Sequence, residues 1–312
     1  MREFDGASTV LPNLFVIGAP KCGTTSLFHW LSEHPDICGS SDKETYYLLD
    51  QEYPMRREGY DNYHQSGLAG YSAYFQAWHG EPYRVEATPD YLYQQTALEV
   101  ISQTEKPQVL VVLRKPSGRV YSLYQFARNN AGTLDLDISF REFVEAGFGD
   151  SDLLSRKPIL QMAIEQSQYV DYIDKWVASI GRENIHLVLF EELTKAPLEC
   201  LQQLCMGLNI DASYYEGFDF VAYNRTVAVK SKLLHRIRRR GHSLINRYCA
   251  GVVPEWFKSM VYTVYNTINQ SSKLIDSTDE ELMVIAELDT YFAPYNRRLE
   301  ELMKVDLSVW TR

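Results

Sequence analysis

The 312-residue chain carries 41 acidic against 31 basic residues, a formal charge of −10, with 45% hydrophobic and 13% aromatic residues. That composition supports a substantial core, and the acidic balance tilts against nucleic acid or any other long polyanion as a partner. No stretch approaches the roughly 18 apolar residues of a membrane helix, and MREFDGASTVLPN lacks the apolar core of a signal peptide. Five cysteines (Cys22, Cys38, Cys200, Cys205, Cys249) form no CxxC and no even framework, which suits reduced thiols in a cytoplasmic protein. The expectation is a single domain over 1–312, with no membrane partner and a homodimer allowed.

The first element is a short apolar run, Leu14 to Ile17, ending at Gly18 and reading as a buried strand. Leu27, Trp30, Leu31 and His34 then recur at helical spacing. Between them lies Gly18-Ala-Pro-Lys21-Cys22-Gly23-Thr24-Thr25-Ser26, a strand–loop–helix turn of the kind that cradles phosphate through backbone N–H groups and a helix N-terminus. The nucleotide-triphosphate pattern GxxxxGK[ST] fails, because Thr24 stands where the lysine belongs and Lys21 lies inside the loop. Cys22, in an anion loop, is a candidate for a lowered thiol pKa. It reads as a small loop residue, since no motif supplies it with a base.

This loop resembles the phosphosulfate loop of sulfotransferases, which use 3′-phosphoadenosine 5′-phosphosulfate (PAPS) and need no metal. The resemblance implies an α/β, three-layer, P-loop-like domain with a central parallel sheet and helices on both faces. It implies that Lys21, Cys22, Gly23, Thr24, Thr25 and Ser26 hold the 5′-phosphosulfate and that Lys21 stabilises the leaving group. After the helix stop His34-Pro35-Asp36 comes Lys43-Glu44-Thr45-Tyr46-Tyr47. In the sulfotransferases that modify heparan-type polysaccharides, and in their bacterial relatives, a Lys-Glu pair followed by aromatics stands at this distance. The resemblance implies that Glu44 is the general base for the acceptor, an in-line transfer needing both positioning and a proton sink.

Residues 46–82 read as an irregular, aromatic-rich insertion over the site, and Tyr46, Tyr47, Asp90 and Tyr91 are candidate acceptor contacts. Tyr83 to Ala87 reads as a strand; Ala87 stands where polysaccharide-modifying relatives carry lysine. Gln108 to Leu113 is a continuous apolar run suited to a central parallel strand. It ends at Arg114, and Pro116 and Ser117 open a helix containing Ser122. In sulfotransferases an arginine here and a serine eight positions on bind the 3′-phosphate of PAPS, and Arg114 and Ser122 keep that spacing. Leu160 to Ile180 reads as a helix and Ile185 to Phe190 as a strand, with Glu191 and Glu192 as structural acids at the start of the next helix.

Arg225, Lys230 and Ser231 are weaker candidates for a basic loop over the 3′-phosphate, and 230–280 reads as a helical, lid-like segment. Tyr291 to Leu299 and Trp310 look like the family's closing helix and terminal tryptophan. No zinc spacing occurs. The expected activity is transfer of a sulfuryl group from PAPS, leaving adenosine 3′,5′-bisphosphate (PAP). The expected acceptor is a hydroxyl, or less readily an amine, of a small neutral or cationic molecule such as a secondary metabolite. A saccharide acceptor and a non-catalytic PAPS-binding module are the alternatives, and a P-loop kinase is disfavoured by the missing lysine.

Overall fold

The computed structural model describes residues 10–56, 59–149, 151–223 and 277–311. The chain divides into two compact units. The first comprises Met1–Arg119, Glu165–Asn224 and Asp289–Arg312; the second comprises Val120–Ile164 and Arg225–Leu288.

The first unit is built on five parallel strands, β1 (Leu14–Gly18), β2 (Ile37–Gly39), β3 (Tyr83–Glu86), β4 (Gln108–Leu113) and β5 (Ile185–Leu189), in the order β2-β3-β1-β4-β5. Successive strand residues point to opposite faces, yet every residue of β1 is buried, as are Val109 to Leu113 of β4. Both faces of the sheet are therefore covered, which is why these strands read as unbroken apolar runs rather than alternating ones. Register is set by Leu14 beside both Val85 and Gln108, and by Leu113 beside Leu189. The strands give the expected α/β architecture.

Helix α1 (Thr24–Ser32) buries Leu27, Phe28, Trp30 and Leu31, and ends just before His34-Pro35, as expected. Among the described residues the remaining helices are α2 (Tyr63–Tyr71), α3 (Gln95–Ser102), α4 (Pro116–Gln125), α5 (Phe140–Phe148), α6 (Pro158–Gln161), α7 (Tyr169–Ile180), α8 (Phe190–Lys195), α9 (Pro197–Leu208) and α10 (Asp279–Met303). The segment 46–82 is not wholly irregular, since it holds α2, interrupted by Gly67 at φ 57°. The helix expected over 160–180 starts only at Tyr169. Before it, the backbone and side chains of Gln166 and Ser167 are engaged by Tyr93 and Arg119, and the chain forms a short 3₁₀ turn instead.

In the second unit, α5 opens with a capping box. Ser139 Oγ accepts from the Glu142 N–H at 3.2 Å, and Glu142 Oε2 accepts from the Ser139 N–H at 2.8 Å. Its core is aromatic, with Tyr121, Tyr124, Phe140 and Phe143 in mutual ring contact.

Candidate active site

Strand order places the ligand crevice. The chain leaves β1 toward β2 and β3 on one side, while β4 and β5 lie on the other, so β1 and β4 flank a topological switch point. Ligands of open α/β sheets bind beyond the carboxyl ends of strands at such a point. Here those ends carry the loop 18–26 and Arg114. The two are tied together: the Ala19 N–H donates to Val112 O at 2.7 Å. Tyr169 Oη donates to Arg114 O at 2.9 Å and lies 3.9 Å from Cys22 Sγ.

The loop itself requires glycine at two places. A Cβ on Gly18 would stand 2.8 Å from Leu92 Cβ; Gly23, the N-cap of α1, has φ 85° and would press a Cβ to 3.0 Å from the Phe190 ring. With Gly23 in the left-handed region, the first-turn N–H groups of residues 24–26 emerge from the helix end toward the loop. No acidic residue sits in that turn. The cradle therefore suits a dianion. Thr24 and Ser26 are buried, and Ser26 Oγ accepts from the Tyr223 N–H at 3.0 Å. Thr25 is half-buried.

Lys21 has φ 73°, a left-handed conformation uncommon for a residue with a side chain. Six described non-glycine residues share a positive φ, and three of them are Lys21, Glu44 and Tyr46. Strained backbone of this kind concentrates at functional sites. Burial lowers the Lys21 pKa from 10.5 to about 8; the Glu44 carboxylate opposes the shift and Arg114 adds to it. Lys21, Glu44 and Arg114 thus occupy one electrostatic neighbourhood, although Arg114 lies 93 positions after Lys21 in sequence (114 − 21).

Glu44 is carried there by the loop after β2, whose backbone pairs with the end of β3 through the Glu44 N–H and Ala87 O at 3.0 Å. Its Oε1 receives Lys43 Nζ at 2.5 Å, and its Oε2 receives the Tyr46 hydroxyl. The carboxylate is about one-third exposed, oriented on two sides and reachable on another. Arg114 leans on the Phe190 ring at 4.8 Å, and Gly118 leaves room for its Nε, which would lie 3.2 Å from a Cβ there. Ser122 is half-buried on α4, in the second unit. Arg225, Lys230 and Ser231, with most of the segment 230–280, lie outside the described residues.

Several expectations need correction. Cys22 is fully buried and its thiol is pushed up by that burial, not lowered, so only its backbone can serve the loop. Tyr47 and Tyr91 have no exposed surface; Tyr47 stacks on Tyr71 at 4.7 Å and the Tyr91 hydroxyl accepts from the Leu48 N–H at 3.0 Å. They are core side chains that shape the 43–48 loop, not faces for an acceptor. Tyr46 is also largely buried, and its hydroxyl serves Glu44. Asp90 is mostly buried, accepts from Tyr53 Oη at 2.6 Å, and has its pKa raised first by burial, with the Glu44 charge adding. Glu191 is structural, as expected: it accepts from the Lys115 N–H at 2.9 Å and from Trp310 Nε1 at 3.0 Å.

Two residues outside the sequence-based set matter. Arg119 is 1% exposed, and its guanidinium donates to Pro20 O at 3.1 Å, Ser167 Oγ at 2.8 Å and Gln166 Oε1 at 3.3 Å. It fixes the loop carbonyl and adds buried positive charge behind the anion cradle. Its signal was an arginine four positions before Leu123, on the apolar stripe of α4. Glu86 is fully buried at the end of β3, accepts from Thr88 Oγ1 at 2.6 Å and Thr45 Oγ1 at 2.9 Å, and so anchors the residue next to Glu44.

Burial raises the Glu86 pKa from 4.5 to about 7. Folding therefore takes up a proton between those values, so stability falls as pH rises through that window and levels off above it. Glu86→Gln is expected to remove about 3 kcal/mol of this pH dependence. Thermal midpoints at pH 5 and pH 8 check it: the variant gains relative to the parent at the higher pH. Equal pH slopes would contradict the assignment.

A family model, described as the sulfotransferase domain, matches residues 11–271. The chain belongs to the sulfotransferase family. Human bifunctional heparan sulfate N-deacetylase/N-sulfotransferase 3 is 25% identical over 222 residues, covering 67% of this chain and 24% of that protein. The membrane-associated sulfotransferase kil1 of Dictyostelium discoideum is 30% identical over 127 residues, 39% of this chain and 24% of that one. The chain thus matches about a quarter of the length of these curated relatives. A sulfotransferase structure from Alicyclobacillus acidocaldarius superposes with a TM-score of 0.65 at 24% identity, over 97% of this chain and 100% of that one, and shares the fold. Among the described residues, no helix is long and apolar enough to cross a membrane.

Proposed function

We propose that this sulfotransferase moves a sulfuryl group from PAPS to a hydroxyl, less readily an amine, of a small neutral or cationic acceptor. The observation that supports the reading is that Glu44 and Arg114 both act electrostatically on Lys21, while the Lys21 loop and Arg114 follow the carboxyl ends of β1 and β4. PAPS, when bound, supplies an activated sulfuryl group on a phosphate leaving group. The loop 21–26 fits its anionic end, since it offers a left-handed lysine, first-turn N–H groups and no carboxylate in that turn. Lys21 would hold the bridging oxygen and take up the charge that develops there. Arg114 would grip the 3′-phosphate, and a role for Ser122 in that contact rests on sequence spacing alone. Glu44 would accept the acceptor's proton, held in place by Lys43 and Tyr46.

A kinase would need a metal-binding acid at the end of β4, where Arg114 stands. Metal-independent transfer is accordingly part of the proposal, and so is a cytoplasmic location, supported by the free thiols of Cys22, Cys38, Cys200 and Cys205. The acidic balance and Ala87 favour a small acceptor over a polysulfated chain. A saccharide acceptor is the second reading, supported by the names of the heparan sulfate relatives. Incubation with sulfur-35 PAPS, EDTA and a panel of hydroxyl compounds tests the reading. Label transfer without added metal is expected; transfer that returns only with magnesium or zinc would contradict it.

The Lys21 pKa of about 8 gives a pH prediction. An anion binds the protonated ammonium, so above that pH binding must recruit a proton and PAP affinity should fall with each further unit. Titration calorimetry from pH 6.5 to 9.5 checks it. Lys21→Arg, protonated throughout, should flatten the profile, and an unchanged slope would remove Lys21 from the anion site.

A further inference from the structure

The Pro20 carbonyl is turned into the protein, where it accepts from Arg119 Nε at 3.1 Å. The Pro20–Lys21 peptide is trans, so its C=O and the Lys21 N–H point in opposite directions. Holding the oxygen against Arg119 therefore directs the Lys21 N–H away from Arg119. A reversed peptide would meet a bound anion with an oxygen instead of an N–H, so the orientation of this one peptide decides what the loop offers. Arg119 is itself oriented by a run of hydrogen bonds within the first unit. Its Nη2 donates to Gln166 Oε1 at 3.3 Å, Gln166 Nε2 donates to Tyr53 Oη at 3.3 Å, and Tyr53 Oη donates to Asp90 Oδ1 at 2.6 Å. The direction is forced. A guanidinium only donates, so Gln166 turns its oxygen to Arg119 and its amide N–H to Tyr53, which is left to spend its hydroxyl proton on Asp90. Burial, with the Asp90 charge adding, raises the Tyr53 pKa and keeps it a phenol.

We propose that Tyr53 and Gln166 are positioning residues for the sulfuryl donor: acting through Arg119, they hold the Pro20–Lys21 peptide in the orientation that receives the 5′-phosphosulfate. The inference rests on the PAPS reading above and extends it to residues outside the loop. Tyr53 is well placed to serve as an anchor. Its N–H donates to Asp50 O at 3.1 Å, and the Asp50 carboxylate accepts from the Gln95 and Thr96 N–H groups at the start of α3, at 3.0 and 2.8 Å. Asp50 and Tyr53 follow directly on the loop that carries Glu44, so the run joins the segment bearing the proposed base to the loop bearing Lys21. Aligned donors in a buried run of this kind strengthen one another, and the loss of one member is felt along it.

Calorimetry of the full chain with PAP and with adenosine 3′-phosphate tests this, since the second nucleotide has no 5′-phosphate to place in the loop. Tyr53→Phe should weaken PAP about tenfold, the scale of one hydrogen bond, and leave the affinity for adenosine 3′-phosphate nearly unchanged. Gln166→Leu should do the same and keeps the test decisive if Tyr53→Phe does not fold. The double variant should lose no more than the worse single one, as expected of two residues acting in series. Tyr215→Phe removes a buried phenol hydroxyl that donates to Trp30 O at 2.9 Å, away from this run, and should leave both affinities as they are. Equal weakening of both nucleotides, PAP affinity unaltered in both single variants, or losses that add in the double variant would overturn the positioning role while leaving the PAPS reading intact. An unaltered chain that binds PAP no more tightly than adenosine 3′-phosphate would instead overturn the reading of the loop as the phosphosulfate site.

Discussion

Lys21→Met is expected to lower the rate of sulfuryl transfer by about 10²–10³-fold, the loss seen when one preorganised group facing developing charge is removed. Methionine keeps the length and apolar stem of the side chain, so the buried part of the site stays filled. The residual PAP affinity should come from the first-turn N–H groups of α1, from Arg114 and from the buried Arg119 charge behind Pro20. The effect should therefore be larger on kcat than on PAP binding. Single-turnover rates with pre-bound PAPS, set beside PAP affinity, separate the two. A rate within threefold of the parent would exclude Lys21 from the charge-stabilising role.

Glu44→Gln should lower kcat by about 10²–10⁴-fold, the usual contribution of a positioned general base. The amide retains an oxygen for the Tyr46 hydroxyl, so the loop geometry should survive, and both acceptor KM and PAP affinity should change little. Raising the pH should not restore the rate, because glutamine offers no basic site to unmask. Tyr46→Phe makes the informative comparison: it removes one of the two hydrogen bonds orienting the carboxylate and leaves the base present. Its loss should be about tenfold, the scale of a single hydrogen bond. If Glu44→Gln and Tyr46→Phe cost the same, Glu44 acts in positioning and another base collects the proton.

The parts of this site legible from sequence are those whose chemistry is written locally. The 18–26 loop announces itself because glycines, a lysine and hydroxyl residues fall between a strand and a helix. Arg114 does so because it follows directly on the continuous apolar run Val109 to Leu113. Glu44 is different. Nothing in Lys43-Glu44 distinguishes it from a solvated surface pair, and only the resemblance singled it out; its place beside Lys21 depends on parallel pairing of β2 with β3. That pairing was hidden, since β2 is three residues long and has no readable period.

The tyrosines of 46–93 were ambiguous for another reason. An aromatic ring is equally suited to a core and to a ligand face, and burial is decided by tertiary packing: Tyr47, Tyr71 and Tyr91 go inward, while Tyr60 stays out. Arg119 was missed because a charged residue on a helix is ordinarily solvated. Here its cost of burial is offset by three hydrogen bonds that also tie the phosphate-type loop to the turn before α7. Helix α2 escaped notice because Gly67 and Gly70 lower its propensity and Gly67 leaves helical geometry altogether.

The central claim, that Arg114 makes this a site for a 3′-phosphorylated nucleotide, is tested most directly by the affinity of PAP against that of ADP. Calorimetry in EDTA on the unaltered chain and on Arg114→Ala would measure it. The expected result is a clear preference for PAP, reduced in the variant by about 1.5–3 kcal/mol, the scale of hydrogen bonds to a charged group, with ADP affinity nearly unchanged. Equal affinities for PAP and ADP in the unaltered chain, or a PAP affinity indifferent to loss of Arg114, would contradict it.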